Sequence, residues 1–227
     1  MSDNIDKILE EKLSFYKQIQ QKHKEDLIKS SRVLKIEKNR LITLERDNIE
    51  GIVIVLSGEL KNFMNYRDKE IKLFNLYEYD ICILSSATNY SNLPCSTNLK
   101  TIKDSEVLII EGEVFKNISS ENLEAQKFLN TLTQSKLSEV MNTLIEVNFY
   151  SMENRVIKYL VNEFEYSNDL IVNVTHEDIA NDLGTAREVI SRILKKLDNR
   201  DLIIQPQRGK IEIVDIKKLK NIIEELN

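Results

Sequence analysis

Apolar positions change their spacing along this 227-residue chain. Over residues 3–29, Ile5, Ile8, Leu9, Leu13 and Tyr16 recur at three- and four-residue intervals, which predicts helix. From Val33 to Ile110 the pattern shortens into the runs RVLKIEK, LITLE, GIVIVLSGELKNFM, IKLFNL, CILSS and VLII, parted by turn-forming KNR, RDN and YRDKE. Several short strands at this spacing predict a sandwich or roll. From Ser119 to Val147 the helical period returns, with Ser120 before Glu121 as the expected N-cap. Within that helix Leu137, Val140, Leu144 and Val147 follow the 3-4-3 spacing of a coiled-coil seam, and Leu129 and Leu132 carry an apolar face in a shifted register. Two readings stand side by side: a helix packed on its own domain, and a dimer seam combined with such packing.

Residues 148–151 read as a break. MENRVIKYLVNEF then gives Val156, Ile157, Leu160, Val161 and Phe164 as a helical stripe. SND makes a turn, LIVNV a short strand, and two helices and a hairpin follow. The expected organisation is an α+β chain. An N-terminal helix and β-roll cover 1–118, a long helix covers 119–148, and a small α/β unit covers 149–227.

The densest signal is THEDIANDLGTAREVISRILKKL. Thr175 with Asp178, and Thr185 with Glu188, have capping-box spacing, so two helix starts lie close together. Gly184 between them can supply the left-handed residue that ends the first helix. Ile179 and Leu183 share a face of the first helix, and Ala180 is small enough for a close crossing. In the second helix Ile190, Ile193, Leu194 and Leu197 form one apolar stripe. A short helix, a glycine turn and a second helix make a helix-turn-helix.

Charge sharpens this picture. The whole chain carries 32 Lys+Arg against 37 Asp+Glu, a net −5, yet residues 185–200 hold five cations (Arg187, Arg192, Lys195, Lys196, Arg200) and two anions (Glu188, Asp198). The face opposite the apolar stripe shows Arg187, Glu188, Ser191, Arg192 and Lys195. Arginine can donate two parallel bonds to guanine, and glutamate can accept from cytosine N4. The N-terminal half of a recognition helix lies deepest in the major groove, where Arg187 and Glu188 sit. Lys195, Lys196 and Arg200 fall further back, where a phosphate backbone would pass. LIIQPQRGKIEIV then reads as a hairpin whose tip carries Arg208 and Lys210, suited to phosphates; helix-turn-helix plus hairpin predicts a winged helix. A locally positive face on an acidic protein predicts double-stranded DNA as partner.

The remaining chemistry is sparse. There is no GxxxxGK[ST] loop, GxGxxG or GxSxG, so an enzyme is not expected. Two cysteines, Cys82 and Cys95, are too few for a four-cysteine iron–sulfur cluster, and His23 and His176 lie too far apart for a zinc spacing. No metal site is expected. No apolar run approaches membrane-spanning length, and the charged N-terminus is unlike a signal peptide, so a cytoplasmic protein without membrane contact is expected.

Residues Val172 to Val214 closely resemble the DNA-binding domain of the Crp/Fnr family. LGTAREVISRILKKLDNRDLI follows that family's pattern almost throughout, with Ala186 where serine is common and Val189 where threonine is common. The resemblance implies base contacts by Arg187, Glu188, Ser191 and Arg192, and half-sites with a TGA core. It also implies phosphate contacts by Thr175 and Thr185, beside Lys195, Arg208 and Lys210. More loosely, GIVIVLSGELKNF with its turn residue Gly58, and DKEIKLFNLYEYD, resemble the family's cyclic-nucleotide-binding-like jelly roll, and 120–147 its dimerisation helix. A homodimer on a pseudo-palindromic operator, working with RNA polymerase, is what the family implies.

The nucleotide cassette departs from the family. Ile83 and Leu84 stand near its Gly-Glu pair and Cys95 near its arginine, with Ser96 retained. An Ile/Leu pair cannot hold a ribose hydroxyl and a thiol cannot neutralise a phosphate, so control by cyclic AMP is not expected. The effector, and any cofactor, stays open. Haem ligation by His23 or a cysteine, and redox switching at Cys82 or Cys95, are alternatives, with Cys82 in an apolar run and Cys95 in a polar loop. A further reading, resting on the acidic net charge, is a winged helix that docks on a protein partner.

Overall fold

The computed structural model describes residues 2–42, 51–66, 69–84 and 97–225. The chain divides into two compact units whose main boundary falls between Met141 and Asn142, inside one long helix.

In the first unit the strands form two antiparallel four-stranded sheets. β1 (Ser31–Ile36), β8 (Ser105–Glu111), β3 (Gly51–Ser57) and β6 (Ile81–Leu84) lie in that order in one sheet. β2 (Leu41–Ile42), β7 (Thr97–Thr101), β4 (Leu60–Tyr66) and β5 (Lys69–Leu76) make the other. The register pairs Ile52 with Ile110, Val53 with Ile109 and Ile54 with Leu108 across β3 and β8. Alternation then sorts the side chains. Val53, Val55, Val107, Ile109 and Cys82 join Leu60, Leu76 and Leu99 between the sheets. Ile52, Ile54, Leu108 and Ile110 point the other way, into a layer of helices. A strand buried on both faces needs apolar residues at every position, which is why IVIV runs unbroken in β3. Gly58 turns the chain from β3 into β4 at φ +90°, and a Cβ there would sit 2.3 Å from the Ser105 hydroxyl, so only glycine fits.

The helical layer differs from the expected single helix over 3–29. Helix α1 (Ser2–Lys12) and helix α2 (Gln21–Ser30) are separated by a 3-10 turn at Tyr16–Gln18. Leu13, Phe15, Tyr16 and Ile19 are all buried, and their spacing does not fit one helical face, so the chain turns to bury them together. Phe15 packs edge-on against Phe115 and Phe128, with ring centroids at 5.6 and 5.4 Å. Phe115 belongs to α3 (Gly112–Glu121), and Phe128 to the long helix α4 (Leu123–Phe149). Ser120 does not open the long helix. Its hydroxyl donates back to the Asn117 carbonyl inside α3, and Asn122 does the capping, accepting the Ala125 amide at 3.0 Å. β7 was hidden from the pattern because TNLKT has a single large apolar residue, Leu99.

In the second unit, α5 (Met152–Ser167) begins at Ser151, which accepts the Asn154 amide. Next come β9 (Ile171–Val172), α6 (His176–Leu183), α7 (Arg187–Asp198), β10 (Ile203–Gln207), β11 (Lys210–Ile213) and α8 (Ile216–Glu224). The strands form one antiparallel sheet in the order β10-β11-β9. A single core gathers Val156, Ile157 and Leu160 of α5, Ile179 and Ala180 of α6, Ile190, Leu194 and Leu197 of α7, and Leu219 of α8. Helix α8 lies beyond the stretch that the sequence motif covers. Among the described residues, no helix is long and apolar enough to cross a membrane.

Candidate nucleic-acid interface

The site starts from two local stops and starts. Thr175 caps α6: its hydroxyl accepts the Asp178 amide at 3.1 Å, while the Asp178 carboxylate accepts the Thr175 amide at 3.1 Å. The hydroxyl also donates to that carboxylate at 2.6 Å, so it is engaged within the capping box. Gly184 ends the helix in the left-handed region, at φ 64° and ψ 41°. A Cβ at Gly184 would meet nothing within 4 Å, so the demand there is conformational and not steric.

The second capping box does not form. Helix α7 starts at Arg187, and its N-cap is Ala186, without a side-chain hydrogen bond. The Thr185 amide donates instead to the Ala180 carbonyl at 2.9 Å, closing the C-terminus of α6. That closure holds Thr185 one residue too early to cap α7.

On α7, Ile190, Leu194 and Leu197 are fully buried, with Ile193 packed against them. Burial of each such side chain contributes about 1.5–3 kcal/mol, which fixes the rotation of the helix about its axis. Arg187, Glu188, Ser191, Arg192 and Lys195 are therefore all exposed. Among the described residues, Arg187, Arg192 and Lys195 make no ion pair.

Lys196 and Arg200 are placed otherwise than expected. Both are held by Glu153 in the first turn of α5, Lys196 on one carboxylate oxygen and Arg200 on the other at 2.8 Å. Two of the five cations of residues 185–200 thus answer an acid of the same unit.

The hairpin is the wing. β10 and β11 pair Ile203 with Ile213 and Gln207 with Lys210, leaving Arg208 exposed at the tip and Lys210 half-buried. A groove between the start of α6 and the wing is lined by Thr175, His176, Arg187, Gln205, Arg208 and Lys210 among others. His176 Nε2 and Gln205 Oε1 lie 2.8 Å apart across it, joining α6 to β10. The groove brings together Thr175, Arg187, Arg208 and Lys210, while Glu188, Ser191, Arg192 and Lys195 lie along α7 outside its lining. Thr185 is half-buried beside the turn.

Three contributors escaped sequence reading: Glu153, Gln205 and Arg155, whose guanidinium reaches the Leu183 carbonyl at 2.9 Å. Each acts across 28 residues or more, as with Arg155 and Leu183. The one local hint was Glu153, acidic in the first turn of α5.

The proposed effector residues are less instructive. Ile83 pairs with Ile52 and so shares the helix-facing side of its sheet, whereas Cys82 faces the space between the sheets. Leu84 ends β6 opposite Gly51. Cys95 and Ser96 lie outside the described residues. Burial pushes the Cys82 thiol from 9.0 up to about 12. His23 Nε2 already meets the Glu121 carboxylate at 3.2 Å. Among the described residues, no cluster of three or more His, Cys, Asp or Glu could hold a metal ion.

Comparison with known proteins bears on the second unit and on the fold. Residues 154–222 match the family described as the Crp-like helix-turn-helix domain. The anaerobic regulatory protein of Bacillus subtilis is 24% identical over 188 residues, covering 78% of this chain and 77% of its own. The transcriptional regulatory protein btr of Bordetella pertussis is 24% identical over 129 residues, covering 54% of this chain, and the chain spans about half of that relative's length, 53%. A crystal structure of a regulator ascribed to the Crp/Fnr family from Eubacterium rectale superposes with a TM-score of 0.83 at 26% identity, covering 92% of this chain and 97% of that one.

Proposed function

We propose that this chain, whose residues 154–222 match the Crp-like helix-turn-helix domain and whose fold follows that of a regulator ascribed to the Crp/Fnr family, is a transcription regulator of that type, acting as a homodimer that reads a pseudo-palindromic DNA site with one α7 in each half-site. The observation that carries this reading is the exposed row Arg187, Glu188, Ser191, Arg192 and Lys195 on a helix whose opposite stripe is buried. Arg187 and Arg192 have the donor geometry for guanine, and Glu188 can accept from cytosine. Half-sites with a TGA core are expected. Arg208 and Lys210 on the wing, with Lys195, suit backbone phosphates; Thr175 and Thr185, on either side of α6, complete that set through their hydroxyls, with Thr175 exchanging the Asp178 carboxylate for a phosphate, since both amides are already donated within the protein.

The dimer rests on α4. Of the expected seam, Leu137, Leu144 and Val147 are 49–60% exposed in the single chain and Val140 is half-buried, while Met141 beside it is 50% exposed, an apolar stripe suited to a second copy of the helix. Two recognition helices about one turn of DNA apart would then match a two-fold operator. Work in the cytoplasm alongside RNA polymerase follows from the family.

Control by cyclic AMP in the family manner is not part of the proposal. By the resemblance, Ile83 and Leu84 stand near the nucleotide-holding Gly-Glu pair, and neither carries a polar side chain for a ribose. Calorimetric titration with cyclic AMP should show no binding at micromolar concentration. Thiol switching is not assigned to Cys82, since the thiolate is the reactive form and burial suppresses it.

The test is a mobility shift on a duplex selected by the protein from a randomised pool. Binding should be dimeric, should fall steeply between about 50 and 200 mM salt, and should exceed binding to a scrambled duplex. Absence of salt-dependent binding would overturn the proposal and favour docking on a protein.

A further inference from the structure

Arg155 puts a charge where packing alone asks for none. It lies in the first turns of α5, next to the fully buried Val156 and Ile157. Its Nη2 donates to the Leu183 carbonyl at 2.9 Å, and its buried Nε has no hydrogen-bond partner among the described residues. Burial pulls the guanidinium below the ordinary arginine value, and Glu146, near the end of α4, pulls it back up. Glu146 is itself paired with Lys158, at 2.7 Å. An unbranched apolar side chain would fill such a place without desolvating a cation.

What the charge does is visible in its partner. Leu183 is the last residue of α6, immediately before Gly184. The final carbonyls of a helix lack partners within it and carry the negative end of its dipole. The Ala180 carbonyl is closed by the Gly184 and Thr185 amides. The Leu183 carbonyl is answered by Arg155, from a different helix.

We propose that Arg155 is a positioning residue for DNA recognition: by holding the Leu183 carbonyl it fixes the α6–α7 turn, and with it the direction in which α7 presents Arg187 and Glu188. This rests on the reading of α7 as the recognition helix. Arg155 touches no DNA in this scheme. A charge-assisted hydrogen bond at a half-buried site is strong enough to set the orientation of a short turn.

The test compares the full-length protein with Arg155→Met and Arg155→Lys. Each is titrated with the duplex selected by the wild type and with a scrambled duplex of equal composition. Arg155→Met should bind the selected duplex about tenfold more weakly, with affinity for the scrambled duplex and the salt slope unchanged. Arg155→Lys should recover part of the loss. Hydrogen exchange without DNA gives a second measurement: the Gly184 and Thr185 amides should exchange faster in Arg155→Met, while those of the α5 interior keep their rates. Unchanged selectivity, or equal losses on both duplexes that follow a lowered Tm, would overturn the proposal, as would unchanged exchange at the turn. A wild type that selects no sequence would instead sink the DNA-binding reading, which its own arm reveals.

Discussion

The two units bury their apolar residues by different rules. In the second unit each helix hides one stripe: Ile190, Leu194 and Leu197 go inward, so the remaining face of α7 must go outward. In the first unit the central strand β3 hides both sides, Ile52 and Ile54 under helices and Val53 and Val55 between sheets. A one-sided element declares its functional surface through what it leaves polar. A two-sided element declares none, and any effector surface there depends on strands brought together from afar. The surface proposed to read DNA is thus legible in α7 alone, whereas an effector surface is not legible in β3 or β6.

Several changes would break or sharpen this contrast. The largest effect is expected outside both patterns, on the exposed stripe of α4. Leu137→Glu with Leu144→Glu should yield monomers by light scattering and weaken binding to the selected duplex by about 10²-fold or more, since two linked contacts become one. Next, Ile54→Ala should lower stability by about 2–5 kcal/mol in urea unfolding, because Ile54 is fully buried in a strand covered on both sides. An equivalent truncation at Ile204, which is 47% exposed on the wing, should stay within about 0.5 kcal/mol.

The buried thiol adds a pH signature to the first unit. The Cys82 pKa rises from 9.0 to about 12 on folding, so its contribution is full below pH 9 and is lost as pH climbs toward 12. Between pH 9 and 10.5 the wild type should lose up to about 1.4 kcal/mol per pH unit more than Cys82→Val. Equal slopes would place the thiol in contact with water. A smaller change is expected from Thr175→Ala, which removes the one capping box of the helix-turn-helix and should cost about 1 kcal/mol by thermal unfolding.

What the sequence revealed follows the same division. The α6 cap, Gly184, the α7 stripe and the wing all lie within a few residues of their causes, and they were readable from Thr175, Gly184 and the Ile190–Leu197 spacing. Thr185 misled because its spacing to Glu188 matched a capping box, while its amide was needed to close α6. Ser120 misled likewise, since α3 runs through it and Asn122 caps the next helix. The pairing of Glu153 with Lys196 and Arg200 joins residues 43 and 47 apart, beyond any local pattern. It also revises the charge argument, because the proposed DNA surface then rests on Arg187, Arg192 and Lys195, which make no ion pair among the described residues, more than on the summed charge of residues 185–200. In the first unit, β7 was missed because its one large apolar side chain, Leu99, gives no alternation to read.

The most direct measurement takes Glu188→Ala and Arg208→Ala through binding to the selected duplex and to its single-base variants. Glu188→Ala should relax the choice at one base pair of each half-site by about 1–3 kcal/mol, while Arg208→Ala should weaken all duplexes alike and make binding less sensitive to salt. If both variants bound every duplex as the wild type does, the exposed face of α7 and the wing would not be the surfaces that meet DNA.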